Sequence, residues 1–183
     1  MAGGMEGLDK LMRKLDALGT QVAGETLERA VNASTKTVQA EARLNCAGFR
    51  IPTGELRQSI RTKVNSESDR VIGVVYTNKE HAPYVEFGTG PAGDADHQGI
   101  SPNATPTYSQ KGWIIPAKAM DREKAESYGL GVVEKADEVI GYLTNGQPAH
   151  PFLYPALKNN EGRVKRNIAN YIARAIKEAA NNG

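Results

Sequence analysis

The stretch SIRTKVNSESDRVIGVVYTN, residues 59–78, decides the fold class. From Ser59 to Val64 the side chains alternate: Ile60, Thr62 and Val64 point one way, Arg61 and Lys63 the other. A period of two belongs to a strand with one face covered. Residues 65–69, NSESD, are turn formers by composition. Residues 70–78, RVIGVVYTN, are rich in β-branched side chains and suit a more buried strand. The two are expected to pair as an antiparallel hairpin.

Upstream of the hairpin the period changes. Leu8, Leu11, Met12, Leu15 and Leu18 recur at helical spacing, and Gly19 ends that helix. A second helix is expected from about Gly24 to Cys46, with a weaker stripe of Leu27, Val31, Val38 and Ala42. Gly48 and Pro52 close this region, and Thr53 is placed to cap a short turn holding Glu55 and Leu56.

Downstream, residues 81–90 read HAPYVEFGTG. Tyr84 to Phe87 have the look of a packed strand end, and Gly88 with Gly90 permit a sharp turn into a long polar segment. That segment, residues 89–112, holds Gly, Pro, Ser, Thr and Asp with no surviving period. A loop of that length in a compact domain binds something or orders against a partner. A short strand is expected over 113–117, WIIPA, and a helix around Asp121 to Tyr128. Residues 138–147, EVIGYLTNGQ, read as a strand running into the Asn145-Gly146 turn, or as the end of a helix from Val132; the apolar run flanked by glycine favours the strand. AHPFLYPAL, 149–157, is a docking segment bounded by prolines. Residues 158–180 form a closing helix, with Val164, Ile168, Ile172, Ala175, Ile176 and Ala179 at helical spacing.

The expected fold is therefore α+β: a small antiparallel β-sheet packed by N-terminal and C-terminal helices, with a long loop excursion. The chain reads as a single domain over 1–183, with an N-terminal helix in 1–20 and an elaborated loop or insert region at 89–148.

Composition narrows the function. Hydrophobic residues are 39% and aromatics 6%, so the core is aliphatic and modest. Against 23 basic residues stand 21 acidic ones, a net charge of +2, which argues against a dedicated nucleic-acid binder. Cys46 is the single cysteine and excludes an internal disulfide. The opening MAGGMEGLDK has no basic region followed by an apolar run, and no apolar run approaches the roughly 20 residues of a membrane span.

Three kinds of chemistry can be tested by spacing. His81, Glu86, Asp94, Asp96, His97 and His150 are metal-ligating types, but no HExxH, no CxxC and no His pair at i, i+4 organises them. FGTGPAG has phosphate-loop glycines, but Pro91 and more loop succeed them where a helix and a lysine are needed. No GxSxG marks a nucleophile. The expectation is no catalytic residue, no cofactor and no metal. A small metal-dependent hydrolase or nuclease using His81, Glu86 and His97 is the enzymatic alternative. A non-specific DNA-binding protein is another, because Arg50, Arg57, Arg61 and Lys63 surround the first strand and six cations lie on the closing helix. Arg57, Arg61 and Lys63 are the candidates to face DNA; a solvated face or a protein interface is the favoured reading.

Three segments in order carry a resemblance: TGELRQSI (53–60), YVEFGTG (84–90) and GQPAHPFLYPAL (146–157). Together they resemble the signature of tail-completion, or head-to-tail joining, proteins of long-tailed double-stranded DNA phages. The matching positions are Thr53, Gly54, Leu56 and Ser59, then Tyr84, Glu86, Phe87, Gly88 and Gly90, then Pro151, Phe152, Leu153, Pro155 and Ala156. The resemblance implies fold and assembly roles for them and no catalysis. It implies a virion protein of the phage neck, assembled in the host cytoplasm. Its form would be a homo-oligomeric ring, most simply a hexamer, around the DNA channel. Its neighbours would be connector or adaptor proteins and tail-terminator or tail-tube proteins, with non-specific contact to genome DNA in the lumen and none to membrane.

Overall fold

The computed structural model describes residue 19 and residues 22–48, 54–67 and 70–181. The expected helix over 8–18 and the capping role of Thr53 lie outside these residues. The class is α+β. The chain divides into two compact units, Met1–Asn78 with Ala156–Gly183, and Lys79–Pro155. The described strands form two separate antiparallel sheets rather than one.

In the first unit a π-helical turn at Val22–Thr26 leads into helix α1, Leu27–Asn45. Its buried stripe is Ala30, Ser34, Thr35, Val38 and Ala42, nearly all small side chains. Helix α2, Glu55–Ser59, starts after Gly54 at φ +63, a left-handed conformation that suits glycine. Strand β1, Arg61–Ser66, pairs antiparallel with β2, Val71–Tyr76, in a register that sets Arg61 opposite Tyr76 and Ser66 opposite Val71. The hairpin expected from the period-two pattern is thus present.

The hairpin lies close on α1 because the facing surfaces are small. A Cβ at Gly73 would run into Thr35 Oγ1 and stand 2.9 Å from Val31 Cγ1. Ile60 is fully buried, a burial worth about 1.5–3 kcal/mol. Its carbonyl accepts from Gln39 Nε2 at 2.7 Å and from the Arg43 guanidinium at 2.9 Å, which ties α1 to the start of β1. The Ser59 hydroxyl lies 2.8 Å from the Leu56 carbonyl and 2.6 Å from Thr77 Oγ1, so one side chain joins the two ends of the hairpin. The outer face is unlike a solvated one: Ile72, Val74 and Tyr76 are exposed beside Arg61 and Lys63.

The second unit holds α3 (Ala82–Phe87), α4 (Gly90–Ala95), β3 (Trp113–Pro116), α5 (Arg122–Ser127), β4 (Gly131–Lys135) and β5 (Glu138–Thr144). The sheet order is β3-β5-β4. Asp121 caps α5, its Oδ1 accepting from the Lys124 N–H at 2.8 Å. Helix α6, Leu153–Asn181, begins in this unit and runs on into the first.

Three expectations need correction, and one alternative falls. Tyr84 to Phe87 belong to a short helix, not a strand end. Pro83 sits in its first turn, where a missing N–H costs nothing, and buried Ala82 and Glu86 share a helical face at i, i+4. The 89–112 loop opens with a helical turn, α4, before becoming irregular. Residues 131–135 are a strand, joined to β5 by a two-residue turn at Ala136 (φ +53) and Asp137 (φ +63), which removes the alternative of a helix from Val132; the strand over 138–144 runs into Asn145-Gly146 as expected. The closing helix starts at Leu153, inside the supposed docking segment, because Pro155 falls in its first turn.

Candidate functional site

The densest geometry of the second unit joins two of the three resemblance segments. Helix α6 is 29 residues long, and no Ser, Thr, Asp or Asn stands just before it. The N–H groups of its first turn must find acceptors elsewhere. They find Glu86. One carboxylate oxygen, Oε2, accepts from the Phe152 N–H at 2.7 Å and from Leu153 at 2.9 Å; the other, Oε1, accepts from Tyr154 at 3.0 Å. The next residue, Pro155, has no N–H. Every orphan donor of that turn is therefore satisfied or absent. The negative charge also sits at the positive end of the helix dipole. Glu86 itself is 6% exposed.

Backbone pairing fixes this arrangement. Thr89 and Gln147 form an antiparallel bridge, Thr89 N–H to Gln147 O at 2.9 Å and the reverse at 3.1 Å. Ala92 donates to Asn145 O at 3.0 Å, Ala149 to Asp96 O at 2.9 Å and His150 to Val85 O at 2.8 Å. Gln147 Nε2 donates to Tyr84 O at 2.9 Å, and the Tyr108 hydroxyl donates to Phe87 O at 2.7 Å. Burial, and then the nearby Asp94 carboxylate, hold the Tyr108 phenol above its ordinary pKa. Gly88, at φ +78 and ψ 177, lies so close to the partner segment that a Cβ there would stand 2.8 Å from Ala149 N and 2.9 Å from Gln147 O.

Beside this clasp lies a cavity of about 480 Å³ whose walls include Tyr84, Phe87, Tyr108, Trp113, Pro83 and Pro106. Tyr84, expected to pack, is instead 60% exposed at the cavity's edge. Nothing in the sequence singles out Trp113 or Gln147 for this site. A lone aromatic in the polar 89–112 loop is the one signal available for Tyr108.

The remaining resemblance positions have structural surroundings. Leu56 and Ser59 are buried in the first unit; Phe152 and Ala156 are fully buried. Gly90, at φ +60, leaves room for Trp113 and for the Asn145 carbonyl. Arg57, Arg61 and Lys63 are all exposed.

The ligand set of the enzymatic alternative does not assemble. Both Glu86 oxygens are committed to backbone donors. The His97 ring stacks on Tyr108 with centroids 5.5 Å apart, and its Nδ1 lies 3.0 Å from the Gly93 carbonyl. Among the described residues no three His, Cys, Asp or Glu side chains are grouped to hold a metal ion, and no helix is long and apolar enough to cross a membrane.

Residues 9–88 match the model of the family described as "Bacteriophage HK97-gp10, putative tail-component". The match spans fewer than half of the 183 residues and agrees with the phage tail resemblance read from the sequence. Over those residues the chain is similar to a phage tail-component family. No curated protein and no solved structure matches.

Proposed function

We propose that the chain is a structural, non-catalytic component of the phage neck, a tail-completion or head-to-tail joining protein. It closes a homo-oligomeric ring around the DNA channel, a hexamer like the tail it joins. It assembles in the host cytoplasm and stays in the virion, between connector or adaptor proteins and tail-terminator or tail-tube proteins. The observation that carries this reading, beyond the family match, is the outer face of the β1–β2 hairpin. Three exposed apolar side chains, Ile72, Val74 and Tyr76, are flanked by Arg61 and Lys63. A core of apolar and aromatic groups with a polar rim is the composition of a protein interface. Among the described residues no further strand pairs along the edges of this two-stranded ribbon, and open edges invite another chain. A contact that joins different surfaces of successive copies closes into a ring when its rotation divides a full turn.

In this reading the resemblance positions are fold and assembly residues. Arg57, Arg61 and Lys63 serve the subunit contact at least as well as the lumen. Glu86 holds the start of α6, and Gly88 packs against residues 147–149. Antibody or gold label on a tagged chain in purified particles tests the placement. Label is expected at the junction of head and tail; label on the capsid shell or at the distal tail tip would overturn it.

A further inference from the structure

Helix α6 carries its charges on two different faces. Lys158 and Lys165 share Glu161, at 3.5 and 2.8 Å, and these lysines, Lys165 first, hold the Glu161 carboxyl below its ordinary pKa. That cluster is internally compensated. The other cations are Arg163, Arg166, Arg174 and Lys177, and with Asn170 they are spaced by three, four, four and three residues. This spacing puts all five on one helical face, over about 21 Å at 1.5 Å per residue. All five are exposed. None of the four cations has an ion-paired partner among the described residues, although Glu178 stands four residues beyond Arg174. The half-buried side chains Val164, Ile168, Ile172, Ala175 and Ala179 lie on roughly the opposite side.

We infer that this face of α6 is a contact surface for the phosphate backbone of duplex DNA, read without regard to sequence. Two features favour a polyanion over an acidic protein. The stripe holds no apolar residue that could form an interface core, unlike the β1–β2 hairpin face. Its charges also run in a line, matching a partner that presents one negative charge about every 1.7 Å, or on the order of a dozen over the stripe. Arginine and asparagine are both phosphate donors that position a protein on the duplex without specifying a base. The inference rests on the neck reading only for the source of the DNA, the genome passing through. Binding by the stripe does not require a ring, so failure of one does not entail failure of the other.

The test is fluorescence anisotropy of the full chain with two labelled duplexes of unrelated sequence across a salt series. Equal affinity for both is expected. The slope of log K against log salt is expected near −3.6, from four cations at about 0.9 each. The pair Arg166→Gln and Arg174→Gln should lower the slope's magnitude by about 2 and the affinity at about 50 mM salt by tenfold or more. Glutamine keeps helix propensity, and circular dichroism checks that both variants fold. The pair Lys158→Gln and Lys165→Gln, on the compensated face, should leave the slope unchanged. The inference is overturned by any of three results: no binding at about 50 mM salt, an unchanged slope in the arginine variant, or equal losses from both pairs. Polyglutamate competing as well as DNA would reassign the stripe to an acidic protein and likewise overturn it.

Discussion

Replacing Glu86 by alanine is expected to destabilise the protein by about 3 kcal/mol or more. The side chain is buried and supplies the acceptors for three backbone donors at the head of α6. Losing an ordinary helix cap costs about 0.5–2 kcal/mol, and a hydrogen bond to a charged group contributes about 1.5–3. Here three donors lose their acceptor together, and Phe152, one of the three residues, is fully buried where water cannot replace it. For a chain of this size the melting temperature should fall by roughly 6–12 °C. Glu86→Gln should fall between the two proteins, since one acceptor oxygen remains while the charge at the helix dipole is lost. Thermal and denaturant unfolding of the three proteins decides the matter. A Glu86→Ala variant within about 0.5 kcal/mol of the parent, as for an ordinary surface substitution, would show that Glu86 does not hold the head of α6.

Gly88→Ala should be as damaging, for a different reason. The backbone at φ +78 and ψ 177 is open essentially to glycine alone, which costs another residue about 1–3 kcal/mol. The added methyl would also meet Ala149 N at 2.8 Å, with Gln147 O and Gly93 Cα each at 2.9 Å, all of them backbone. Overpacking of this kind adds about 1–3 kcal/mol. The sum is about 2–6 kcal/mol, read from the same unfolding curves. Gly129→Ala is the internal control. Its φ is +71, but no atom lies within 4 Å of the added position, so only the conformational cost of about 1 kcal/mol remains. If the two variants lose equal stability, the close approach of residue 88 to the 147–149 segment is not what selects glycine.

Local periodicity made part of this molecule legible. Alternation at 59–64 and β-branching at 70–78 marked the hairpin, and the stripe from Val164 to Ala179 marked the last helix. Short elements escaped because their patterns are ambiguous over six residues: Tyr84, Val85, Glu86 and Phe87 alternate like a strand while Pro83 nucleates a helical turn. Strand β4 escaped because its turn uses Ala136-Asp137 instead of the Asn-Gly or Asp-Gly pair that marks such turns. The contact of Glu86 with residues 152–154 could not be read at all, since 66 to 68 residues separate them. One clue did exist. It becomes apparent only with the helix start at Leu153, which leaves His-Pro-Phe before the helix and no local cap for its first N–H groups. The turn at Gly88 and Gly90 was readable in HAPYVEFGTG, while the helix before it and the partner of its glutamate were not.

The central claim is assembly through the outer hairpin face, and the mass of the full chain in solution tests it most directly. Light scattering with electron-microscopic imaging, over a range of concentrations, should find closed rings of one stoichiometry. Val74→Glu, which puts a carboxylate on an exposed position among Ile72 and Tyr76 and should leave the fold intact, is expected to yield monomers. A parent chain that stays monomeric at every concentration, or a Val74→Glu variant that forms the same rings, would contradict assembly through this face.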